Sequence, residues 1–172
     1  MRATKANASI TAFVALGSNL DDPQAQIRAG LREIDALSAT RLTRASSLYR
    51  SAPVGYPDQP DFVNAVAEIE TELAPRALLD GLLAIERAHG RVREFPNAPR
   101  TLDLDVLLYG GEVVREPGLA IPHPRLHERA FVVVPLAEIA PDADVPGRGR
   151  ARDLLQNVDT KSVVRLGGAG AR

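Results

Sequence analysis

Two aspartates separated by one leucine carry the clearest chemistry in the sequence. They lie in the stretch 99–106, PRTLDLDV, where apolar and polar residues alternate. This period of two predicts a half-buried β-strand with Asp103 and Asp105 together on its polar face. Their Cα atoms would be about 7 Å apart, and two carboxylates at that spacing repel each other. A divalent cation relieves the repulsion, and Mg²⁺ suits oxygen ligands that leave room for water and phosphate.

Three arginines lie within the ten residues that lead into this strand, namely Arg91, Arg93 and Arg100. A guanidinium is a planar fork that binds two phosphate oxygens at once, so the run is typical of a polyphosphate site. The alternative is a solvated face with surface salt bridges, each worth about 0–1 kcal/mol. We favour a metal–polyphosphate site because the cations and carboxylates occur together. His123 and Arg129 are candidates to close the same pocket, although a solvent-facing loop position is an equal alternative for His123.

A second group of residues suits a flat heterocycle. Phe62 and Asn64 share one face of a predicted strand, next to a proline-rich loop. An aromatic ring beside an amide offers stacking together with hydrogen-bond donors and an acceptor. The alternative, which composition alone favours, is a core phenylalanine with an asparagine paired to nearby backbone. The turn Gly17-Ser18-Asn19 has neither a P-loop nor a dinucleotide fingerprint, and we interpret it as a strand-to-helix turn.

Hydrophobic periodicity predicts the elements that must position these groups. Strands are expected at 10–16, 42–50, 62–70 and 101–109, the last turning at Gly110-Gly111 into a hairpin with 112–114. Helices are expected at 23–38 and 75–89, each with a proline at its first position. A short helix with the apolar run 131–136 follows, and a last short helix is expected at 152–158. This order predicts a mixed α+β fold with one main antiparallel sheet and helices packed on it.

Composition places limits on the kind of protein. The 172 residues, 45% of them hydrophobic, suit a single domain at 10–160 with a disordered lead-in at 1–9 and a tail at 161–172. The net charge of −1 gives no reason to expect nucleic acid or an anionic membrane as a partner. The absence of cysteine excludes disulfides and thiolate sites. The longest early apolar run, 10–16, is too short to span a bilayer, so we expect a cytoplasmic protein.

Taken together, the motifs resemble those of the 6-hydroxymethyl-7,8-dihydropterin pyrophosphokinases of folate biosynthesis. The resemblance covers about residues 10–158, and its most specific parts are the acidic strand and the motif around Asn64. It implies a ferredoxin-like core, with a mainly antiparallel sheet flanked by helices in an α/β/α layering. The matching segments are ALGSNL at 15–20, YRSAP at 49–53, DQPDFVNA at 58–65, GRVR at 90–93, PRTLDLD at 99–105, IPHPR at 121–125 and RAF at 129–131.

The resemblance also implies a reaction and a role for each residue. Enzymes of this family transfer pyrophosphate from ATP to the hydroxymethyl group of the pterin and release AMP, and we expect a monomer that binds these two substrates. Asp103 and Asp105 would hold two Mg²⁺ ions and, with Arg91 and Arg100, would be the catalytic residues. The implied ATP-binding residues are Glu86, Arg93, Arg100, His123 and Arg129. The implied pterin-binding residues are Ser51, Ala52, Val54, Phe62, Asn64 and Phe131.

One segment departs from the family pattern. The best-known bacterial members carry an Arg-Trp pair shortly before the Pro-Arg, on a loop one residue longer, and Pro96-Asn97 occupies that place here. Two other functions remain open from the residues alone. One is a Mg²⁺-dependent phosphodiesterase or nuclease that uses the same acidic pair. The other is a regulatory domain that binds a small ligand, although such a domain leaves the arginine run unexplained.

Overall fold

The computed structural model describes residues 8–53, 55, 57–90 and 99–168. The strands are β1 (Ile10–Ser18), β2 (Thr40–Ala45), β3 (Leu48–Ser51), β4 (Phe62–Thr71), β5 (Asp103–Tyr109), β6 (Val114–Glu116), β7 (Leu119–Ile121), β8 (Asp144–Val145), β9 (Gly149–Arg150) and β10 (Val163–Gly167). The helices are α1 (Pro23–Asp35), α2 (Pro75–Ala88), α3 (Ala130–Ile139) and α4 (Ala151–Leu154), with 3₁₀ turns at Leu126–Glu128, Leu155–Asn157 and Thr160–Ser162.

The main sheet has the strand order β10-β3-β4-β1-β5, with β2 also pairing with β4. All of its pairings are antiparallel, and β1 lies between β4 and β5. Helix α1 connects β1 to β2, and helix α2 connects β4 to β5. This connectivity is the ferredoxin-like arrangement, so the predicted α+β fold is confirmed.

Helices cover both faces of the sheet. On one face, Leu31 of α1 and Leu82 of α2 are fully buried against Leu16 of β1. On the opposite face, α3 contributes Val133 and Leu136 to a second cluster. The two cores give the predicted α/β/α layering, and α1 and α2 each bury one apolar stripe whose residues recur at helical spacing.

The alternation predicted for the acidic strand is present. Leu102, Leu104 and Val106 are at most 5% exposed and point toward α1 and α2. Asp103 and Asp105 therefore project from the α3 face of the sheet. Strand β4 follows the same rule, since its odd-numbered residues from 63 to 69 belong to the α1–α2 core. The polar side chains of both strands consequently share one face.

Two predicted elements differ from the structure near the sheet. The expected strand 42–50 is divided into β2 and β3, because the side chain of Ser46 replaces the regular ladder: its Oγ accepts a hydrogen bond from the Val66 amide at 2.9 Å. The predicted hairpin between β5 and 112–114 is wrong. Gly110 does form a turn at positive φ, but β6 pairs with β7 instead, through the tight turn at Pro117-Gly118.

The C-terminal prediction also needs correction. Residues from 161 onward were expected to form a tail, yet β10 pairs with β3, with Val163 opposite Ser51. Val163 is buried against Tyr49 and Ala130, which supplies the apolar contact that holds this strand. The sheet therefore extends past the predicted domain limit at residue 160. Of the predicted lead-in, residues 1–7 lie outside the described part of the chain.

The helix predictions hold with shifted ends. Helix α1 begins at Pro23 behind the Asp22 cap, as expected, but ends at Asp35, whose carboxylate accepts a hydrogen bond from the Leu42 amide at 2.8 Å. The apolar run 131–136 lies inside α3, and the last predicted helix is divided between α4 and a 3₁₀ turn. None of the helices in the described residues has the length and apolar character needed to cross a membrane.

Candidate active site

A cavity of about 410 Å³ opens on the α3 face, at the end of the sheet where β4 and β5 begin and β1 ends. It collects side chains that the sequence analysis selected from distant parts of the chain. The predicted residues that line it are Ser51, Ala52, Phe62, Asn64, Arg100, Asp103, Asp105, His123, Arg129 and Phe131. The metal–polyphosphate group and the heterocycle group therefore meet in one cavity.

Small residues of β1 form the floor between the two groups. Gly17 is paired with Asn64 on one side and with Asp103 on the other. A Cβ atom at Gly17 would lie 3.4 Å from Asn64 Oδ1, so any larger side chain would enter the cavity. Ala15, paired with Asp105, continues this floor. Because neighbouring strands are about 4.8 Å apart, the floor separates the amide from the carboxylates by about 10 Å.

The heterocycle side is held by a direct side-chain hydrogen bond. Asn64 Nδ2 donates to Ser51 Oγ at 2.7 Å, and the two residues are only 5% and 7% exposed. The partner of this amide is a hydroxyl of β3, whereas the structural alternative assumed a partner in nearby backbone. The bond fixes the amide plane against the cavity wall, which is what recognition of a heterocycle edge requires.

Each of the two cavity aromatics lies beneath a guanidinium. The Cζ atom of Arg100 is 5.4 Å from the centroid of Phe62, and that of Arg129 is 5.6 Å from the centroid of Phe131. Both distances are in the range of cation–π interactions. Arg100 Nη1 is also 3.2 Å from Asp103 Oδ2, with both side chains mostly buried. Cations therefore occupy the boundary between the aromatic and acidic parts of the cavity.

Two basic side chains of the cavity have lowered pKa values. Burial lowers the pKa of His123, and the neighbouring charge of Arg129 lowers it further, against an opposing effect of Asp103. Burial also lowers the pKa of the Arg129 guanidinium, with a further contribution from Arg125. Arg100 and Arg125 both contribute to the lowered pKa of Arg129, so these positive charges lie close enough to repel one another, and a polyphosphate bound among them would reduce that repulsion.

His123 presents a hydrogen-bond donor to this region. The Arg125 backbone amide donates to His123 Nδ1 at 3.2 Å, so the proton of the neutral imidazole is on Nε2. A second cavity, of about 340 Å³, shares His123 and Asp105 with the first. Its other walls include Leu79 of α2 and Leu119 of β7. The two cavities thus meet at the carboxylate and imidazole expected to contact metal and phosphate.

The donor set fits a magnesium ion that arrives with a phosphate ligand. Within the described ranges, no group of three or more His, Cys, Asp or Glu side chains could hold a metal by itself. Asp103 and Asp105 provide two hard oxygen ligands at the cavity, which leaves most of an octahedral shell to water and substrate. Mg²⁺ is bound in this way in many phosphate-transferring enzymes.

Some predicted residues are not brought into the cavity. Glu86 is 4% exposed and lies behind β5, where its Oε2 accepts a hydrogen bond from the Leu104 amide at 2.7 Å. Leu104 lies between the two aspartates, so this hydrogen bond to Glu86 of α2 holds the backbone of the acidic strand. Arg91, Arg93 and Val54, as well as the divergent segment 96–97, lie outside the described residues.

Several residues at the site were not predicted from the sequence. Gly17 and Ala15 form the floor, and a glycine inside a strand could have indicated a close approach by a ligand. Arg125 and Glu128 also line the cavity, although neither was predicted as a site residue. Asn19, interpreted only as part of a turn, is buried. Its side chain hydrogen-bonds to Gln59, shortly before β4, and to the Arg100 amide, shortly before β5.

Fold and site together are those of a kinase-type transferase, with carboxylates, guanidinium groups and an aromatic–amide face in one cavity. Residues 13–141 match the model of the family described as 7,8-dihydro-6-hydroxymethylpterin-pyrophosphokinase. That match covers most of the chain. The chain belongs to this pyrophosphokinase family.

Similar bacterial proteins agree with the family match over nearly their full lengths. The 2-amino-4-hydroxy-6-hydroxymethyldihydropteridine pyrophosphokinase of Haemophilus influenzae is 50% identical over 157 residues, which cover 91% of this chain and 98% of that protein. The protein of the same name from Pseudomonas aeruginosa is 48% identical, with 91% and 97% covered.

Solved structures share the fold. The crystal structure of wild-type Plasmodium falciparum HPPK-DHPS with pterin and p-hydroxybenzoate superimposes with a TM-score of 0.70 at 13% identity. A triple mutant of the same protein with SDX-DHP gives a TM-score of 0.72 at 12% identity. Both alignments cover 94% of this chain, which spans about half the length of the Plasmodium chains.

Proposed function

We propose that the chain transfers the pyrophosphoryl group of ATP to the hydroxymethyl group of 6-hydroxymethyl-7,8-dihydropterin in this cavity and releases AMP, as a step of folate biosynthesis. The observation that carries the proposal is the register across β4, β1 and β5, which sets Asn64 and Asp103 on either side of Gly17. The acceptor and the phosphate donor can therefore bind side by side over one floor.

The pterin would bind on the β3–β4 side of the cavity. Phe62 and Phe131 present rings that can stack on its faces, and Asn64 presents an amide to its edge. Ser51 orients that amide through the 2.7 Å hydrogen bond, and Ala52 completes the wall. The role predicted for Val54 stays a prediction.

ATP would extend from the second cavity into the first. The nucleoside would lie in the second cavity, whose walls include Leu79 and Leu119, and the phosphates would then pass His123 and Asp105 where the cavities meet. Arg100 and Arg129 offer guanidinium groups to the phosphate oxygens. Arg91, Arg93 and Glu86 are the further ATP contacts that the family resemblance predicts.

The reaction forms a bond between the hydroxymethyl oxygen and the β-phosphorus while the bond from that phosphorus to the α–β bridging oxygen breaks. Positioning and charge stabilisation supply most of the catalysis in such transfers. Arg100, Arg129 and His123 stabilise the charge that develops on the phosphates, and Asp103 and Asp105 would hold two Mg²⁺ ions. Bound Mg²⁺ supplies Lewis-acid stabilisation of the phosphate oxygens. These two carboxylates are also the candidates to receive the hydroxyl proton.

Net charge and the family match support the remaining proposals. A net charge of −1 gives no electrostatic basis for binding nucleic acid or an anionic membrane. As part of the proposal, the protein is a monomer and works in the cytoplasm, as expected from the sequence. The phosphodiesterase and ligand-binding alternatives lack an observation of their own, whereas the family match accounts for the acidic pair and the heterocycle face together.

Release of AMP from ATP tests the proposal. The assay compares reactions with and without 6-hydroxymethyl-7,8-dihydropterin, in Mg²⁺ and again in excess EDTA. We expect AMP only when both the pterin and Mg²⁺ are present. AMP release that ignores the pterin, or binding of ATP without any AMP in the complete mixture, would contradict the proposal and favour the alternatives.

A further inference from the structure

The buried residue Asn19 follows β1 and hydrogen-bonds to the two chain segments that precede β4 and β5. Asn19 is 2% exposed. Its Nδ2 donates to Gln59 Oε1 at 2.8 Å and to the Pro60 carbonyl at 3.0 Å. Its Oδ1 accepts a hydrogen bond from the Arg100 amide at 2.9 Å, and its own backbone amide donates to the Arg100 carbonyl at 3.1 Å. One side chain thus uses its whole amide to join two loops.

These bonds begin where the sheet ladder stops. The last pair of β1 with β4 is Ser18 with Val63, and the last pair of β1 with β5 is Gly17 with Asp103. Beyond those pairs, the strands no longer fix the relative position of the neighbouring segments. The hydrogen bonds of Asn19 extend the connection of β1 to both neighbouring segments beyond the end of the ladder.

The two segments that Asn19 joins lead to different halves of the cavity. Pro60 lies two residues before Phe62, at the heterocycle side. Arg100 lies three residues before Asp103 and pairs with it at 3.2 Å. Arg100 also lies over the Phe62 ring. A displacement of either segment would therefore alter the distance between the two substrates.

We propose that Asn19 is a positioning residue that fixes the heterocycle side of the cavity relative to Arg100, so that the acceptor oxygen meets the β-phosphate. This inference rests on the proposed function, and it assigns Asn19 no contact with either substrate. A purely structural role in the turn would affect folding alone, whereas the positioning role must change the kinetics of the folded enzyme.

Two substitutions separate the arms of this connection. Asn19→Asp retains an oxygen to accept from the Arg100 amide but loses both N–H donors toward Gln59 and Pro60. We expect it to raise the pterin KM about 10-fold with kcat within about 3-fold of wild type. Asn19→Ala loses both arms, and we expect a similar rise in the pterin KM with a kcat decreased about 30-fold.

The matched control removes a buried side-chain hydrogen bond at the opposite end of the sheet. Thr71 is fully buried in β4, where its hydroxyl bonds to Thr40 Oγ1 at 2.7 Å and accepts from the Leu73 amide at 3.1 Å. Thr71→Val should lower the thermal unfolding midpoint while it leaves kcat and both KM values at the wild-type level.

The kinetics are measured with full-length protein, below every unfolding transition, and expressed per folded molecule. Wild-type kcat and pterin KM in both folded Asn19 variants would overturn the inference. If those variants fail to fold, the Gln59→Ala variant tests the inference instead, because it removes one hydrogen-bond partner of Asn19 at a partly exposed position. A pterin KM raised about 3-fold supports the inference, and an unchanged KM overturns it. Absence of pterin-dependent AMP from the wild type would instead contradict the proposed function itself.

Discussion

The guanidinium of Arg100 lies over the ring of Phe62, with its Cζ atom 5.4 Å from the ring centroid, and its Nη1 contacts Asp103 Oδ2 at 3.2 Å. One side chain therefore touches both the aromatic wall and the acidic pair. Because Arg100 lies three residues before the first residue of β5, its position is coupled to the strand that carries the carboxylates. The heterocycle and phosphate halves of the cavity are consequently one structural unit.

Removing one acidic charge from the cavity should abolish transfer without unfolding the protein. Asp103→Asn is expected to decrease AMP formation about 100-fold or more, since a neutral amide is a poor magnesium ligand. Asp103 is only partly buried at the head of its strand, so the free energy of unfolding should change little. Steady-state AMP release over a Mg²⁺ titration measures the effect. The matched control is Asp80→Asn on the exposed face of α2, and wild-type turnover in Asp103→Asn would remove the metal role.

Loss of the second aromatic wall should affect one substrate only. Phe131 lies in the first turn of α3 and lines the cavity, so Phe131→Ala is expected to weaken pterin binding about 10-fold or more through lost stacking and burial. Binding of ATP alone should remain near the wild-type level. Titrations with each ligand separately make the comparison. An equal loss for both ligands would identify Phe131 as a core residue instead.

A branched side chain at the floor should close the cavity. Because a Cβ atom at Gly17 already lies 3.4 Å from Asn64 Oδ1, the methyl groups of Gly17→Val would occupy the space above the sheet. We expect the pterin KM to rise about 10-fold or more, with little change in stability, since strands accept β-branched residues. Gly111→Val is the control, because no atom lies within 4 Å of its added Cβ. Undiminished pterin binding in Gly17→Val would contradict the assignment of the floor.

A carboxylate that fastens α3 to the sheet should give the protein an acid-sensitive component of stability. Glu138 accepts hydrogen bonds from the Ser47 amide and hydroxyl, at 2.9 and 2.7 Å, and from the Tyr49 hydroxyl at 2.8 Å. Burial raises the pKa of Glu138, but the bonds from Ser47 and Tyr49 outweigh it and lower the pKa below its ordinary value of 4.5. The unfolded state then binds more protons, so this stabilisation is complete above the ordinary value and is lost as the pH falls through the folded pKa.

Glu138→Gln tests this dependence. At neutral pH the variant should be less stable than wild type by roughly 1–3 kcal/mol, and the difference should shrink as the pH falls from about 6 to about 3. Urea unfolding at several pH values measures both curves. Glu72→Gln, at an exposed position after β4, is the control and should follow the wild-type curve. A difference between Glu138→Gln and wild type that stays constant with pH would rule out the carboxylate as its source.

Local patterning predicted most of the fold. The period of two along β4 and β5 established which residues face the core, because a strand has only two faces and one of them is apolar. Pairing between strands that are distant in the sequence was harder to predict. The β6–β7 hairpin and the docking of β10 on β3 depend on edges that become available only after the sheet has formed. No local pattern identifies such an edge in advance.

The site was predictable where charged or aromatic side chains formed a pattern, and less so where backbone geometry decides. Asp103 and Phe62 were selected from spacing, and the structure places both in one cavity. Gly17 contributes by having no side chain, and Asn19 by bonds to residues forty and eighty-one positions away in sequence. Glu86, which is predicted to contact ATP, also accepts a hydrogen bond from the backbone of β5, and no local pattern indicates that contact.

The most direct measurement is the identity of the products formed from ATP and 6-hydroxymethyl-7,8-dihydropterin in Mg²⁺, followed by ³¹P NMR. Intact pyrophosphoryl transfer predicts AMP and the pterin diphosphate in equal amounts, with both phosphorus atoms of the new diphosphate derived from the β and γ positions of ATP. Formation of ADP with a pterin monophosphate, or release of free pyrophosphate without a pterin product, would contradict this account.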